Sequence, residues 1–187
     1  AAMTSVQLID VEKRFGEVAV GRNVAATNRG GEAGLNYTLA PGLRLSPRGA
    51  YVRGNNTTDD HPLAQLPPLE TRLSLEWERR QWSLGSLVRL VADQGRFALD
   101  EGNIVGQDLG PTDGFAVFSL NAGWKVRLDA LIAVGIDNLL DQRYAEHLSR
   151  AGDLVPGFAQ TTRVEEPGRT LWLKATLAVG SAGAGAF

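Results

Sequence analysis

The chain contains no cysteine, which excludes disulfide scaffolds and thiolate metal sites. Methionine occurs once, as Met3, so the soft sulfur ligands that Cu(I) prefers are almost absent. A large excess of charge of one sign is also lacking, because the chain has 19 Lys and Arg residues and 21 Asp and Glu residues, and its net charge is −2. A nucleic-acid partner is therefore not expected.

Long hydrophobic runs are missing as well. No stretch approaches the 18 apolar residues of a transmembrane helix, and no basic segment followed by an apolar core marks a signal peptide near Ala1. The strands of a membrane barrel escape this criterion, because their apolar and polar residues alternate. A mean hydropathy of −0.12 and 22 glycines fit such a chain.

Helical periodicity is nearly absent, and alternation with a period of two takes its place. In "TLWLKATLAV", Leu171, Leu173 and Leu177 fall on one face, whereas Trp172 and Lys174 fall on the other. Similar segments predict eight strands, the second of which is long enough either to protrude beyond a membrane or to bend at Gly30-Gly31. The predicted strands are residues 3–10, 18–39, 42–54, 67–78, 81–94, 114–125, 127–138 and 168–179.

Short and long connections alternate between these strands. Tight turns are predicted at 40–42, 78–81 and 124–127, and long links at about 55–66, 95–113 and 139–167. Compact soluble domains seldom hold repeated long links, whereas outer-membrane barrels combine short periplasmic turns with long extracellular loops. We therefore predict an all-β fold of antiparallel transmembrane barrel strands over residues 1–179, followed by a flexible low-complexity tail at 180–187.

Aromatic residues support this orientation. Trp77, Trp82 and Trp124 stand beside short turns, as in an aromatic girdle at the periplasmic interface, and Tyr37 and Tyr51 are predicted on nearby outward faces. The simpler alternative is that Trp and Tyr favour strands in general. Trp172 is predicted to face inward.

The stretch "GIDNLLDQRYAEHLSRAGDLVPGFAQTTRVEEPGRTLWLKATL" resembles the C-terminal end of TonB-dependent outer-membrane receptors. In that family a strand ends in an NLxDxxY motif, a long extracellular loop follows, and PGR introduces the last strand. The segments "AYVRGNNTTDDHPLAQLPPLETRLSL" and "GNIVGQDLGPTDGFAVFSLNAGW" resemble the copper-receptor subgroup in particular. The residues that match the two motifs are Asn138, Leu139, Asp141, Tyr144, Pro167, Gly168 and Arg169.

The resemblance implies a 22-stranded barrel in the bacterial outer membrane, of which this chain supplies about the last eight strands. It also implies an N-terminal plug and a TonB box, neither of which is found in these residues. The implied partners are outer-membrane lipid, the remaining barrel, the plug and, through the N-terminal part, the TonB complex. Copper would be a transported ligand, and no cofactor is expected in this segment. The alternative is a small autonomous eight-stranded barrel with a structural or adhesive role.

The candidate metal ligands lie in predicted extracellular loops. His61 and His147, together with Asp59, Asp60 and Glu146, could supply an N/O metal site, although solvated loop residues or loop-packing hydrogen bonds are the favoured interpretation. The "DDH" run at 59–61 also invites an enzymatic reading, but adjacency alone supplies neither geometry nor a tuned pKa, and no enzyme is expected. The predicted inward charges are Glu70, Arg72, Glu76, Arg89, Asp129 and Lys174.

Overall fold

The computed structural model describes residues 24–102, 107–149 and 162–178, together with the backbone of four short strands outside these ranges. All regular elements in the described residues are β-strands, and none of these residues forms a helix that could cross a membrane. The strands are β1 Lys13–Phe15, β2 Val18–Gly21, β3 Ala26–Gly34, β4 Tyr37–Ala40, β5 Leu43–Asn56, β6 His61–Pro62, β7 Glu70–Arg79, β8 Trp82–Val91, β9 Phe115–Arg127, β10 Ala130–Asp137, β11 Leu154–Val155, β12 Phe158–Ala159 and β13 Thr170–Leu177.

Nine of these strands form one antiparallel sheet, in the order β13-β10-β9-β8-β7-β5-β3, with β4 and β6 also paired to β5. β1 pairs with β2 and β11 with β12 in separate hairpins. The predicted alternation of connections is confirmed: two-residue turns join strands on one rim, and the longer connections from β5 to β7, from β8 to β9 and from β10 to β13 leave and rejoin the sheet on the other. The third short turn is Leu128-Asp129 rather than 124–127, because β9 continues to Arg127.

The long second strand predicted at 18–39 is divided into β2, β3 and β4. β3 continues through Gly30-Gly31 with unbroken register against β5, so this glycine pair, which was one of two alternatives for the long strand, marks neither a bulge nor a break. One interruption separates β2 from β3, and the other falls at Leu35-Asn36, where the Leu35 amide still donates to the Pro47 carbonyl at 3.0 Å. The predicted strand at 3–10 and the predicted tail at 180–187 lie outside the described residues.

Cross-strand register gives the sheet one apolar and one polar face. Because partners on neighbouring strands share a face, the side chains form rows that cross the whole sheet. One row of apolar residues is Leu43, Trp77, Leu84, Ala122, Val134 and Leu173. The adjacent row on the opposite face is Arg44, Glu76, Gly85, Asn121, Gly135 and Trp172.

The apolar face is the exposed one. Leu171 and Leu173 are 77% and 72% exposed, whereas the apolar residues buried within the described parts of the chain are only Val91, Ala98, Phe115 and Val117. A soluble sheet buries such a face against a second layer, and soluble proteins rarely expose a continuous apolar area of this extent. The structure therefore has the inside-out arrangement of a membrane barrel wall and confirms the predicted fold class.

Aromatic side chains cluster on the apolar face near the short turns. Trp82 stacks on Trp124 with ring centroids 5.5 Å apart and planes 10° apart, and Tyr37 lies near the same rim, opposite Leu45. Tyr51 also faces outward but lies near the other end of β5, so its predicted place in this girdle is wrong.

Trp172 lies on the polar face, as predicted, and covers Gly135 on the neighbouring strand. A Cβ atom at Gly135 would stand 2.2 Å from Trp172 Cζ2, so any side chain there would displace the indole. Of the predicted inward charges, five lie on strands of this face, whereas Asp129 lies in a turn and pairs with Arg127 at 3.2 Å.

The two faces predict opposite responses to substitution on adjacent residues of β13. Leu173→Arg should lower the stability of the folded barrel by about 2–4 kcal/mol, because it places a charge against lipid near the middle of the strand. Lys174→Ala, on the polar face, should change it by no more than about 0.5 kcal/mol. Folding of the full-length protein into lipid vesicles, followed by heat-modifiable gel migration, measures both changes in stability. Equal effects would contradict the assignment of Leu173 to the lipid side and Lys174 to the polar side.

Candidate functional site at the loop rim

The loop that follows β10 begins with a side-chain hydrogen-bonded turn. Asn138 adopts a left-handed backbone conformation (φ 50°), which Asn tolerates better than most residues, and its side chain is buried. Its Nδ2 donates to the Gln142 carbonyl at 2.8 Å, and its Oδ1 accepts from the Gln142 amide at 2.9 Å. Both hydrogen bonds hold the chain in the reversal that ends β10.

The same loop is fastened to its own far end at 167–169. Asp141 Oδ1 accepts from the Arg169 amide at 2.8 Å, and Arg169 Nε donates to the Leu139 carbonyl at 2.9 Å. A Cβ at Gly168 would lie 2.7 Å from Asp141 Oδ1, so a side chain there would push the Asp141 carboxylate away from the Arg169 amide. Asn138 Nδ2 also reaches the Pro167 carbonyl at 3.4 Å. All the predicted motif residues except Tyr144 therefore form one clasp, which closes the loop at its base.

Arg89 ties this loop to the polar face of the sheet. Its Nη2 donates to Glu70 Oε2 on β7 at 2.7 Å and to Glu146 Oε2 in the loop at 3.0 Å, while Nη1 pairs with Glu146 Oε1. The guanidinium also stands over the Phe115 ring, 5.3 Å from its centroid. One arginine thus bridges the barrel wall and the loop.

Tyr144 packs beside this bridge, with its ring centroid 4.2 Å from that of Phe115. Burial raises the pKa of the Tyr144 hydroxyl, and the Glu146 and Glu166 carboxylates raise it further. The phenol therefore stays neutral at physiological pH. This residue closes the family motif, and its role here is to pack the loop onto the rim.

His147 belongs to a separate buried cluster. Its side chain is 1% exposed, Nδ1 lies 3.1 Å from Thr112 Oγ1, and Nε2 lies 3.9 Å from Asp108 Oδ2 without a hydrogen bond. Asp108 accepts from the Ala98 and Gly110 amides, and Arg163 reaches it at 3.5 Å. Burial lowers the pKa of the His147 imidazole; Asp108 acts in the opposite direction, and Arg163 adds to the lowering.

His61 stands with other partners. Its Nδ1 lies 2.8 Å from the Pro62 carbonyl, and its Nε2 lies 3.2 Å from Glu101 Oε1 and 3.9 Å from Asp59 Oδ2. Asp60 occupies the adjoining turn with a φ of 55°. The structure therefore groups His61 with Asp59, while Glu146 is held by Arg89 and His147 packs against Asp108. Over the described part of the chain, no group of three His, Asp or Glu side chains is placed to hold a metal ion.

Several residues that form the loop rim were not predicted from the sequence. Glu101, Asp108 and Arg163 lie in loops whose paths alternation cannot predict. The Glu70–Arg89 contact had a usable signal, because the 80–81 turn sets the β7–β8 register and places Arg72 opposite Arg89. Glu70 then lies two residues from Arg72 on the same face.

Replacing Asn138 separates the effect of its backbone conformation from that of its hydrogen bonds. Asn138→Ala loses both, whereas Asn138→Gly loses only the hydrogen bonds, because glycine adopts positive φ freely. We expect Ala to weaken the loop by about 1 kcal/mol more than Gly. Amide hydrogen exchange over residues 139–149 of the full-length protein measures the difference. Equal protection in the two variants would show that the backbone conformation contributes nothing.

The Arg89 bridge predicts a measurable coupling to Glu146. In a double-mutant cycle of Arg89→Met and Glu146→Gln, we expect a coupling of about 1–2 kcal/mol in the opening of the 139–149 amides. The control is Arg127→Met with Asp129→Asn, an ion pair whose side chains are 72% and 39% exposed, for which about 0–1 kcal/mol is expected in the 128–129 turn. A coupling energy no larger than that of the control pair would show that Arg89 does not anchor the loop through Glu146.

The lowered His147 pKa predicts a loop that loosens in acid. Because the folded state binds a proton less readily than the unfolded state, the stabilising contribution is present above the ordinary pKa of about 6.5 and is lost as pH falls below it. Loop hydrogen exchange, corrected for its intrinsic pH dependence, should rise between pH 7.5 and 5. His147→Gln should flatten this response and His61→Gln should not. An unchanged profile in His147→Gln would contradict the assignment.

Solved structures share this architecture. The chain matches the copper transporter OprC with 42% identity and a TM-score of 0.80, over 89% of this chain and 26% of that one. It matches a mutant of the ferric enterobactin receptor PfeA from Pseudomonas aeruginosa with 25% identity and a TM-score of 0.66, over 83% and 23%. The ferric yersiniabactin receptor FyuA from Yersinia pestis, at 20% identity and a TM-score of 0.62, shares the fold over 82% and 24%.

The chain thus spans about a quarter of the length of these structures. No curated protein sequence matches it. A family model described as "TonB dependent receptor-like, beta-barrel" matches residues 7–139, which include most of the sheet. The predicted family is confirmed, and the similarity to OprC agrees with the predicted copper subgroup. The chain belongs to the TonB-dependent receptor β-barrel family.

Proposed function

We propose that this chain forms the C-terminal barrel strands of an outer-membrane receptor that imports copper or a copper complex. The observation that carries the proposal is the 42% identity to a copper transporter over 89% of the chain. The enterobactin and yersiniabactin receptors share the fold at 25% and 20% identity. A ferric siderophore is therefore the second candidate cargo.

The open edges of the sheet support a place within a larger barrel. In the described pairings, β13 is bonded on one side only, to β10, and β3 only to β5. Unpaired strand edges are costly in lipid, since no water satisfies their backbone groups. A barrel closed by the nine strands of this sheet alone would need β13 and β3 to pair with each other, and the ladders of the described residues do not contain that pair. In the proposed receptor, further strands of the same barrel pair with β13 and with β3.

The polar face is proposed to line the receptor lumen. Arg48, Arg72 and Arg89 stand directly opposite one another on three neighbouring strands of this face. Glu70 pairs with both Arg72 and Arg89, which offsets part of the repulsion. Such a wall suits a hydrated interior or contact with a plug, and TonB would act through that plug rather than through these strands.

The loop rim is proposed to be a rigid part of the receptor mouth, with no catalytic role. Three pairs of its charged groups are engaged with one another: Glu146 with Arg89, Asp108 with Arg163, and His61 with Glu101. Sulfur ligands for copper are confined to Met3 in the whole chain. We propose that the ligands for the cargo come from other parts of the receptor.

Metal accumulation tests the proposal. Deletion of the receptor gene should lower cell-associated copper under copper limitation, and the full gene should restore it only in cells with an intact TonB system. Mass spectrometry of cell-associated copper and iron, with and without added siderophore, measures both cargoes. Unchanged copper with reduced siderophore-dependent iron would identify a ferric siderophore, rather than copper, as the cargo. No change in either metal would contradict import.

A further inference from the structure

Two arginines stand side by side on the outward, apolar face of the sheet. Arg29 on β3 and Arg53 on β5 are directly paired in the cross-strand register, so their Cβ atoms lie about 5 Å apart. Both side chains are exposed. Like charges directly opposite each other destabilise a sheet, and within the described residues neither arginine side chain has a hydrogen bond or an ion pair. The pair therefore presents uncompensated positive charge.

The height of this pair places it at the edge of a bilayer. Arg53 lies ten residues beyond Leu43, where β5 leaves the short-turn rim. With a rise of about 3.3 Å per residue and a tilt of about 40°, ten residues climb about 25 Å, which is the height of the apolar band of an outer-membrane barrel. Tyr51, 48% exposed, is the last outward aromatic below it. The arginines thus stand where acyl chains give way to headgroups.

The wall beside Arg53 is indented. β5 pairs with β7 only as far as Ala50, and beyond that point the loop segments 63–69 and 92–96 border a recess. Its lining includes apolar Tyr51 and Leu69 together with Arg53 and Arg96, and Tyr51 and Arg53 lie on the outward register of β5. Arg96 is held there by the Asn55 side chain and the Gly54 carbonyl. Asp93 is the one acidic residue among the described lining.

We propose that Arg29, Arg53 and the adjoining recess bind a phosphorylated lipid headgroup of the outer leaflet. Guanidinium groups pair with phosphate oxygens through two parallel hydrogen bonds, and two adjacent arginines match a headgroup that carries more than one negative charge. Tyr51 and Leu69 would contact the first part of the acyl chains. A soluble anion would gain nothing from that apolar floor, which is why a lipid is the occupant that fits. The inference rests on the outer-membrane location in the proposed function.

Binding to the purified full receptor tests the proposal. The probes are nanodiscs of phosphatidylcholine doped with bis-phosphorylated lipid A or with its phosphate-free counterpart, and native mass spectrometry counts the lipid retained. The wild type should retain the phosphorylated form, and R29Q/R53Q should lower its retention about tenfold. The matched control, R79Q/R127Q, removes two arginines near the short-turn rim and should retain it. R29K/R53K, which keeps the charge without the paired hydrogen bonds, should fall between.

Three results would overturn the inference: equal retention by wild type and R29Q/R53Q, equal retention of the phosphate-free lipid, or displacement by millimolar inorganic phosphate. Heat-modifiable migration identifies folded receptor, and the single variants R29Q and R53Q serve if the double variant does not fold. A negative result for lipid binding would not affect the proposal of copper import, because cells that carry R29Q/R53Q should still accumulate copper. A receptor missing from the outer-membrane fraction would contradict the proposed function itself.

Discussion

The two-faced pairing of the strands is the constraint on which the rest of the structure depends. Because side chains alternate along each strand, a shift of one residue in any ladder would exchange the apolar and polar faces of that strand. The pairs Arg79 opposite Trp82 beside the turn and Glu70 opposite Val91 at the other end, with no shift between them, show that β7 and β8 keep a common register from the turn to the loop rim. The cost of placing Arg72 or Glu76 against lipid makes this register strict.

The loop rim inherits its geometry from that register. Glu70, Arg89 and Phe115 come from three neighbouring strands, and their meeting point on the polar face is set by the β7–β8 and β8–β9 ladders. The loop contributes Tyr144 and Glu146 to this surface only because the clasp at Asn138 and Asp141 fixes where the loop begins. The family motif is therefore structural: it converts the end of β10 into a defined platform over the wall.

Alternation in the sequence predicted six strands of the sheet to within a few residues, because lipid on one face and water on the other enforce a polarity period of two residues. It failed where another force decides. The 18–39 segment breaks at Leu35-Asn36 rather than at its glycines, since β3 is already held by nine pairs with β5. The resemblance identified the motif residues, but it could not show that Asp141 reaches Arg169. Asp108 and Arg163 carry no periodic signal, so their contact with each other and with His147 had to come from the structure.

The arginines of this segment show how position along one strand decides what a charge does. Arg48 and Arg53 lie on the same strand, β5, but an odd number of residues apart, so they face opposite sides of the wall. Arg48 joins the polar row with Arg72 and Arg89, where Glu70 lies close by. Arg53 faces outward with Arg29, and within the described residues no carboxylate pairs with it. The polar face compensates its arginines internally, whereas the outward pair depends on a partner from the membrane.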